Sequence, residues 1–358
     1  MDINFNFKLN RQSISKYETL MNSIAISSLA CFGLIYLGGG TLKFSEVISM
    51  VIFGDTVAVD LVFLIINCIA NFLMILLPVK LFRFMQSGAY IIEEYLPVKK
   101  NILDKKTLPC VFLLGLAATY IVALINNGIA NALFDYSGNG DDYLWRVGLK
   151  YNYQILIYVF STAVIPAITE EIFCRKVLCD ALEPYGPKTA ILVSSLVFSL
   201  LHANFSMFLY TFVGGIFMGW LYVGTKNIKI TMFHHFVHNL LAAIEIIILY
   251  RVSKDAYYAF LTARTIISLL VGIICVLYLA KCRADAENEE VVEAKSNGTY
   301  EEYIEHKKKY SQCLEMLPGE DGEEITSLTG KEKIKGYFSP FMILYIVVAL
   351  ILAVTKIA

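Results

Sequence analysis

Charged side chains are scarce in this chain. Asp, Glu, Lys and Arg make up 17% of its 358 residues, well below the ~25% of ordinary soluble domains. Neither sign dominates. The formal net charge is −1, which excludes a generally basic, nucleic-acid-binding chain. The eight cysteines (Cys31, Cys68, Cys110, Cys174, Cys179, Cys275, Cys282 and Cys313) include no CxxC pair. Most fall in apolar stretches, where a free cysteine behaves as a small hydrophobe, and they suggest no disulfide framework. The N-terminal stretch MDINFNFKLNRQSISKYETL is polar. No cleavable signal peptide is visible, so the first hydrophobic segment is expected to stay as an anchor. No internal repeat is found, and no ten-residue alternation of the kind that marks barrel strands.

Apolar sequence is what the chain has in excess. Hydrophobic residues are 57% of it and the mean hydropathy is +0.61. A soluble protein could not hide that much apolar surface, which points to a polytopic membrane protein. A helix needs about 20 apolar residues to cross the hydrocarbon core. Segments of that kind recur near 20–38, 59–79, 108–133, 153–180, 189–205, 207–225, 228–250, 256–280 and 338–356. Backbone groups in lipid must be satisfied within their own segment, so these segments read as helices. The expected fold is all-α, a polytopic transmembrane bundle of about eight or nine helices.

Positive charge sets the orientation. Lys8, Arg11 and Lys16 precede the first span, and Lys80, Arg83, Lys99, Lys100, Lys105 and Lys106 follow the second. Only Lys43 follows the first, and only Arg146 and Lys150 follow the third. The N-terminus and the even-numbered loops are therefore expected in the cytoplasm. The chain divides into a cytoplasmic tail (1–19), two helices with a basic loop (20–107), a central core (108–250), a further transmembrane helix (251–280), a charged cytoplasmic loop (281–336) and a final helix (337–358). Residues 281–336 are rich in Glu and Lys, with PGEDGEE as a breaker. They read as a solvated loop with room for a helix near 299–316. The sequon Asn297-Gly298-Thr299 would be silent on the cytoplasmic side.

Four of the five histidines, His202, His234, His235 and His238, lie inside apolar segments, and another such segment carries Glu170 and Glu171. An ionisable group in the bilayer interior costs at least ~2.5 kcal/mol. Six of them in about 70 residues are not filler, and they are expected to face one another across a polar cavity. Glu171 and Arg175 are i,i+4 and can pair on one helix face, leaving Glu170 to face another helix. Pro166, four residues before Glu170, is placed to bend that helix. The plain alternative is a stabilising Glu171–Arg175 pair with Glu170 near the interface. His202 follows Phe198 by one turn, which lets that ring pack beside the imidazole. Its plain alternative is a histidine bonded to a neighbouring helix. His235 and Asn239 form one i,i+4 pair and His234 and His238 another on a different side. Two histidines at that spacing can hold zinc when a third ligand joins, but no HExxH is present. At 1.5 Å per residue, Glu170, His202 and His235 lie roughly 15, 20 and 10 Å from the cytoplasmic ends of their spans, so they can meet at similar depth.

These residues form three motifs in order: EExxxR (Glu170, Glu171, Arg175), FxxxH (Phe198, His202) and HxxxN (His235, Asn239). Arg175 precedes Phe198 by 23 residues, and His202 precedes His235 by 33. Together they resemble the CAAX-protease and bacteriocin-processing family of intramembrane proteases, also called the Abi family, over roughly 108–250. The resemblance implies a peptide hydrolase of the CAAX prenyl protease type. Its catalytic residues would be Glu170, His202, His235 and Asn239, with Glu171, Arg175 and Phe198 supporting them. A glutamate in a low-dielectric cavity can serve as base near neutral pH, here with His202 activating water, while His235 and Asn239 donate to the oxyanion. The expected cofactor is none, with zinc as the alternative; Asn239 is a poor zinc ligand but a good oxyanion donor. Expected partners are the lipid bilayer and a membrane-associated peptide or protein, and no nucleic acid; the expected place is a bacterial cell membrane. Two other classes fit the residues: a non-catalytic scaffold or bacteriocin-immunity protein, and a transporter relaying protons. A transporter would show a repeat or two half-chains.

Overall fold

The computed structural model describes residues 16–34, 76–86, 105–134, 151–301 and 330–355, with a few isolated positions between them. Every regular element among the described residues is helical. In chain order these are α1 (16–34) and α2 (76–86), α3 (Thr107–Phe134), α4 (Asn152–Tyr185), α5 (Pro187–Leu201), α6 (Phe205–Thr225), α7 (Ile228–Arg251), α8 (Lys254–Ser296), α9 (Gly330–Tyr337) and α10 (Pro340–Thr355). Among the described residues, α3, α4, α6, α7 and α8 are long and apolar enough to cross a membrane, and α5 and α10 are shorter apolar helices. The fold is an all-α polytopic membrane bundle. The expected span at 59–79 lies mostly outside the described residues.

Local chemistry sets the breaks. Gly186, at φ +109°, ends α4 in a conformation open to glycine, and Pro187 starts α5 where a missing N–H costs nothing. Asn204 caps α6 by accepting from the Ser206 N–H at 3.0 Å. Asn227 caps α7 through Lys229 at 3.1 Å, and Ser253 caps α8 through Ala256 at 3.1 Å. The apolar segment expected at 189–205 is therefore shorter than a span. It stops at Leu201, His202 closes the helix, and Ala203 takes a positive φ of 43°.

Two turns of α4 are widened to π geometry, at Phe160–Val164 and Ile172–Cys179. The first ends just before Pro166, so the bend expected at this proline is taken up by a wider turn.

Close packing centres on α6, where glycines let backbones approach. A Cβ on Gly215 would lie 2.9 Å from Ser195 Cβ and 3.0 Å from its Cα, so α5 sits hard against this face. A Cβ on Gly214 would meet Thr119 of α3 at 3.1 Å. The adjacent glycines thus seat α6 between α3 and α5. On the far side of α5, Tyr345 of α10 donates to the Val197 carbonyl at 3.0 Å and stacks on Phe32 of α1 at 5.3 Å.

The charged segment after 280 departs from expectation. Residues 281–296, read as loop, continue α8 to a length of 43 residues. Their Ala, Glu, Lys and Arg are strong helix formers, and Arg283 pairs with Glu287 one turn on at 3.2 Å. Leaving the apolar region does not end a helix with such propensity. Asn297 and Gly298 do: Gly298 has φ +72°, and the Thr299 N–H closes on the Ala294 carbonyl at 2.9 Å. Most of the helix expected near 299–316 lies outside the described residues.

Candidate active site

The site is built from α4, the end of α5 and the first half of α7. Glu171 and Arg175 form the expected i,i+4 pair, at 3.0 Å, with both side chains fully buried. Each also reaches a neighbouring helix. Arg175 Nη1 donates to Ser194 Oγ of α5 at 3.3 Å, and its guanidinium lies 5.4 Å from the centre of the Phe198 ring. The second carboxylate oxygen of Glu171 meets Nδ1 of His235 on α7 at 3.1 Å. One ion pair therefore ties three helices together, with Arg175 Nη2 buried and without a hydrogen-bond partner.

Phe198 lies between the two histidines of the motifs. Its ring meets His202 edge-on at 5.1 Å and His235 edge-on at 5.7 Å. The expected packing of Phe198 beside His202 is present, and the ring also orients His235. His202 Nδ1 lies 2.9 Å from the Phe198 carbonyl, a bond that helps fix the imidazole at the mouth of the α5–α6 turn.

Glu170 is placed differently from its neighbour. Its side chain is 26% exposed, and Oε2 stands 3.9 Å from His235 Nε2. That distance is too long for a hydrogen bond. Oε2 is nonetheless buried with no hydrogen-bond partner. Asn239 shares the His235 face of α7, as the spacing predicts. Its Nδ2 donates to the Thr162 carbonyl at 3.1 Å, in the first widened turn of α4.

His234 and His238 face elsewhere. His234 is buried edge-on against Phe112 of α3 at 4.8 Å. Gly115 makes room for it, since a Cβ there would sit 2.7 Å from Nε2. His238 lies beside Tyr210, 6.4 Å between ring centres. This pair packs toward α3 and α6. Among the described residues no three His, Cys, Asp or Glu side chains could share one ion, and His235 Nδ1 is held by Glu171.

One charged assembly is absent from the sequence reading. Glu245 of α7 pairs with Arg264 of α8 at 2.5 Å, and the guanidinium covers the Tyr120 ring of α3 at 3.9 Å. The signal was a single acid in one apolar segment and a single base early in the next.

Apolar helices around a buried charged site define a polytopic membrane protein with an enclosed polar centre. Residues 152–241 match the family described as "Type II CAAX prenyl endopeptidase Rce1-like", and the matched range holds all three motifs. The chain is also 30% identical over 138 residues to "Putative membrane peptidase YdiL" of Bacillus subtilis (strain 168). That match covers 36% of this chain and 53% of the relative, so it spans about half of the relative's length. Both findings show the resemblance to the CAAX-protease and Abi family that the motifs carry. No solved structure matches the chain.

Proposed function

We propose that this chain is an intramembrane endopeptidase, with residues 108–250 as its catalytic core. The observation that carries the reading is the unequal treatment of two adjacent glutamates. Glu171 is locked between Arg175 and His235, whereas Glu170 is partly exposed and faces His235 Nε2 across 3.9 Å. A water in that gap would reach both groups. Glu170, with His202, takes a proton from the water as its oxygen attacks the peptide carbonyl, and the proton passes on to the leaving amine. His235 donates to the developing oxyanion from Nε2 once that nitrogen carries a proton, with Nδ1 held by Glu171. Asn239 donates with the second N–H of its amide, the first being bound to Thr162. Glu171 and Arg175 hold this geometry, and Phe198 fixes both imidazole rings. No step in this scheme uses a metal.

The substrate class we favour is a membrane-associated bacterial peptide, such as a signalling peptide or bacteriocin. Cleavage after a prenylated CAAX cysteine is the neighbouring possibility. The protein would sit in a bacterial cell membrane with its N-terminus in the cytoplasm. The test uses purified protein in lipid vesicles with quenched-fluorescent hydrophobic peptides, with and without a prenylated cysteine. Cleavage that survives phenanthroline is expected. Cleavage that stops on chelation and returns with added zinc would overturn the metal-free scheme, and no cleavage of either peptide class would overturn the peptidase reading.

A further inference from the structure

We propose that Pro166 is a positioning residue for Asn239, and that it acts by the hydrogen bond it cannot make. This rests on the reading of Asn239 as an oxyanion donor. In an α-helix the N–H of residue 166 would bond to the carbonyl of residue 162. Proline has no N–H, and its ring crowds that same carbonyl. The Thr162 carbonyl thus receives nothing from position 166. It is this carbonyl that accepts the Asn239 Nδ2–H at 3.1 Å. The widened turn at Phe160–Val164 absorbs the crowding, with the Ile165 N–H reaching back to the Phe160 carbonyl.

The consequence is directional. An asparagine amide has a donor end and an acceptor end, and either can face a cavity. A carbonyl anchor accepts the NH2 group alone. It therefore fixes the donor end of Asn239 toward α4 and holds its second N–H for the reacting carbonyl. Pro166 lies four residues before Glu170 on the same helix, so one stretch of α4 sets both the proposed base and the orientation of the proposed donor. Alanine at 166 would bring an N–H that competes with Asn239 for the Thr162 oxygen.

Two measurements test this, and the first needs no activity. In a thermal cycle on the full-length protein in micelles, Asn239→Ala should lower the midpoint by about 4 °C, because it takes the side-chain donor from a partly buried carbonyl. In a Pro166→Ala background the same change should cost about 1 °C, since the new N–H satisfies that carbonyl. Equal losses in both backgrounds would overturn the proposal. Should Pro166→Ala fail to fold, lactic acid at position 163 serves instead. It turns the Thr162 carbonyl into a weaker ester acceptor while keeping the proline, and it must likewise shrink the cost of Asn239→Ala.

The second measurement is kinetic. Pro166→Ala should lower kcat about tenfold with KM little changed, as loss of a donor that acts mainly in the transition state requires. Lactic acid at 166, which like proline brings no N–H, should keep kcat near wild type. Equal loss in both variants would assign the effect to the ring and overturn the inference. If wild type and Glu170→Gln are equally inactive, the peptidase reading fails while the thermal cycle still decides what Pro166 does.

Discussion

Near the start of α7, His235 meets Glu171 and Arg175. Further along the same helix, Glu245 meets Arg264, which is capped by the Tyr120 ring. Both assemblies bury an acid and a base in apolar surroundings, and both join α7 to another helix. They differ in balance. The Glu245–Arg264 clamp is one charge against one, closed by an aromatic face, and it leaves no group unanswered. At the first assembly a second carboxylate, Glu170, stands beside the pair and faces His235 Nε2 across 3.9 Å without a hydrogen bond. Buried pairs of this kind hold helices in place. In the proposed mechanism it is the carboxylate in excess of the pairing that takes the proton.

The largest expected effect separates Glu170 from everything around it. Glu170→Gln should lower peptide cleavage by about 10²–10⁴-fold, the usual contribution of a general base. The thermal midpoint should stay near wild type, because no partner is stranded. Full activity in this variant would take Glu170 out of the mechanism.

Breaking the pair beside it should behave in the opposite way. Arg175→Ala leaves a buried Glu171 without its cation, and Glu171→Gln leaves a buried guanidinium without its anion. Each should cost about 3–5 kcal/mol of stability, seen as lost yield or a lowered midpoint together with lost activity. A Glu171→Gln protein of full stability and no activity would move that residue into direct contact with the chemistry.

Asn239→Ala should remove about 2.7–4 kcal/mol of transition-state stabilisation, read as a fall in kcat at nearly constant KM. A variant changed in KM alone would contradict the donor role.

The smallest effect on turnover is expected at the second assembly. Arg264→Ala should lower the thermal midpoint, yet folded protein should cleave at the wild-type rate. A Glu245→Leu/Arg264→Leu double variant should recover much of the stability, as replacing a whole buried pair often does. A turnover defect in the double variant would mean that the two assemblies are coupled.

The parts of this arrangement that could be read in advance are local in the chain. The i,i+4 spacing gives the Glu171–Arg175 pair, and the HxxxN spacing puts His235 and Asn239 on one face. Hydropathy put α6 and α7 close to their observed limits. What depends on residues far apart could not be read that way. His235 lies 64 positions from Glu171 and Asn239 lies 77 from Thr162, and no periodicity specifies such partners. His234 and His238 had the spacing of a metal pair, and only the structure shows that they pack against Phe112, Gly115 and Tyr210. The extent of α8 was underestimated for another reason. Hydropathy marks where a helix leaves lipid, whereas helix propensity decides where it stops, and these points differ at residues 281–296.

The triad of Glu171, Arg175 and His235 also bears on how the chain reaches the membrane. Glu171 and Arg175 arrive together on α4, but His235 is made 64 residues later. At ~5–20 residues per second of synthesis, α4 waits about 3–13 s for it. Throughout that interval the i,i+4 partner is the one cation in reach within its own helix. Arg175 would then escort Glu171 during insertion before it becomes a strut in the finished bundle. Its loss should be felt at the ribosome-bound stage, as a nascent chain whose fourth helix is poorly retained in the bilayer.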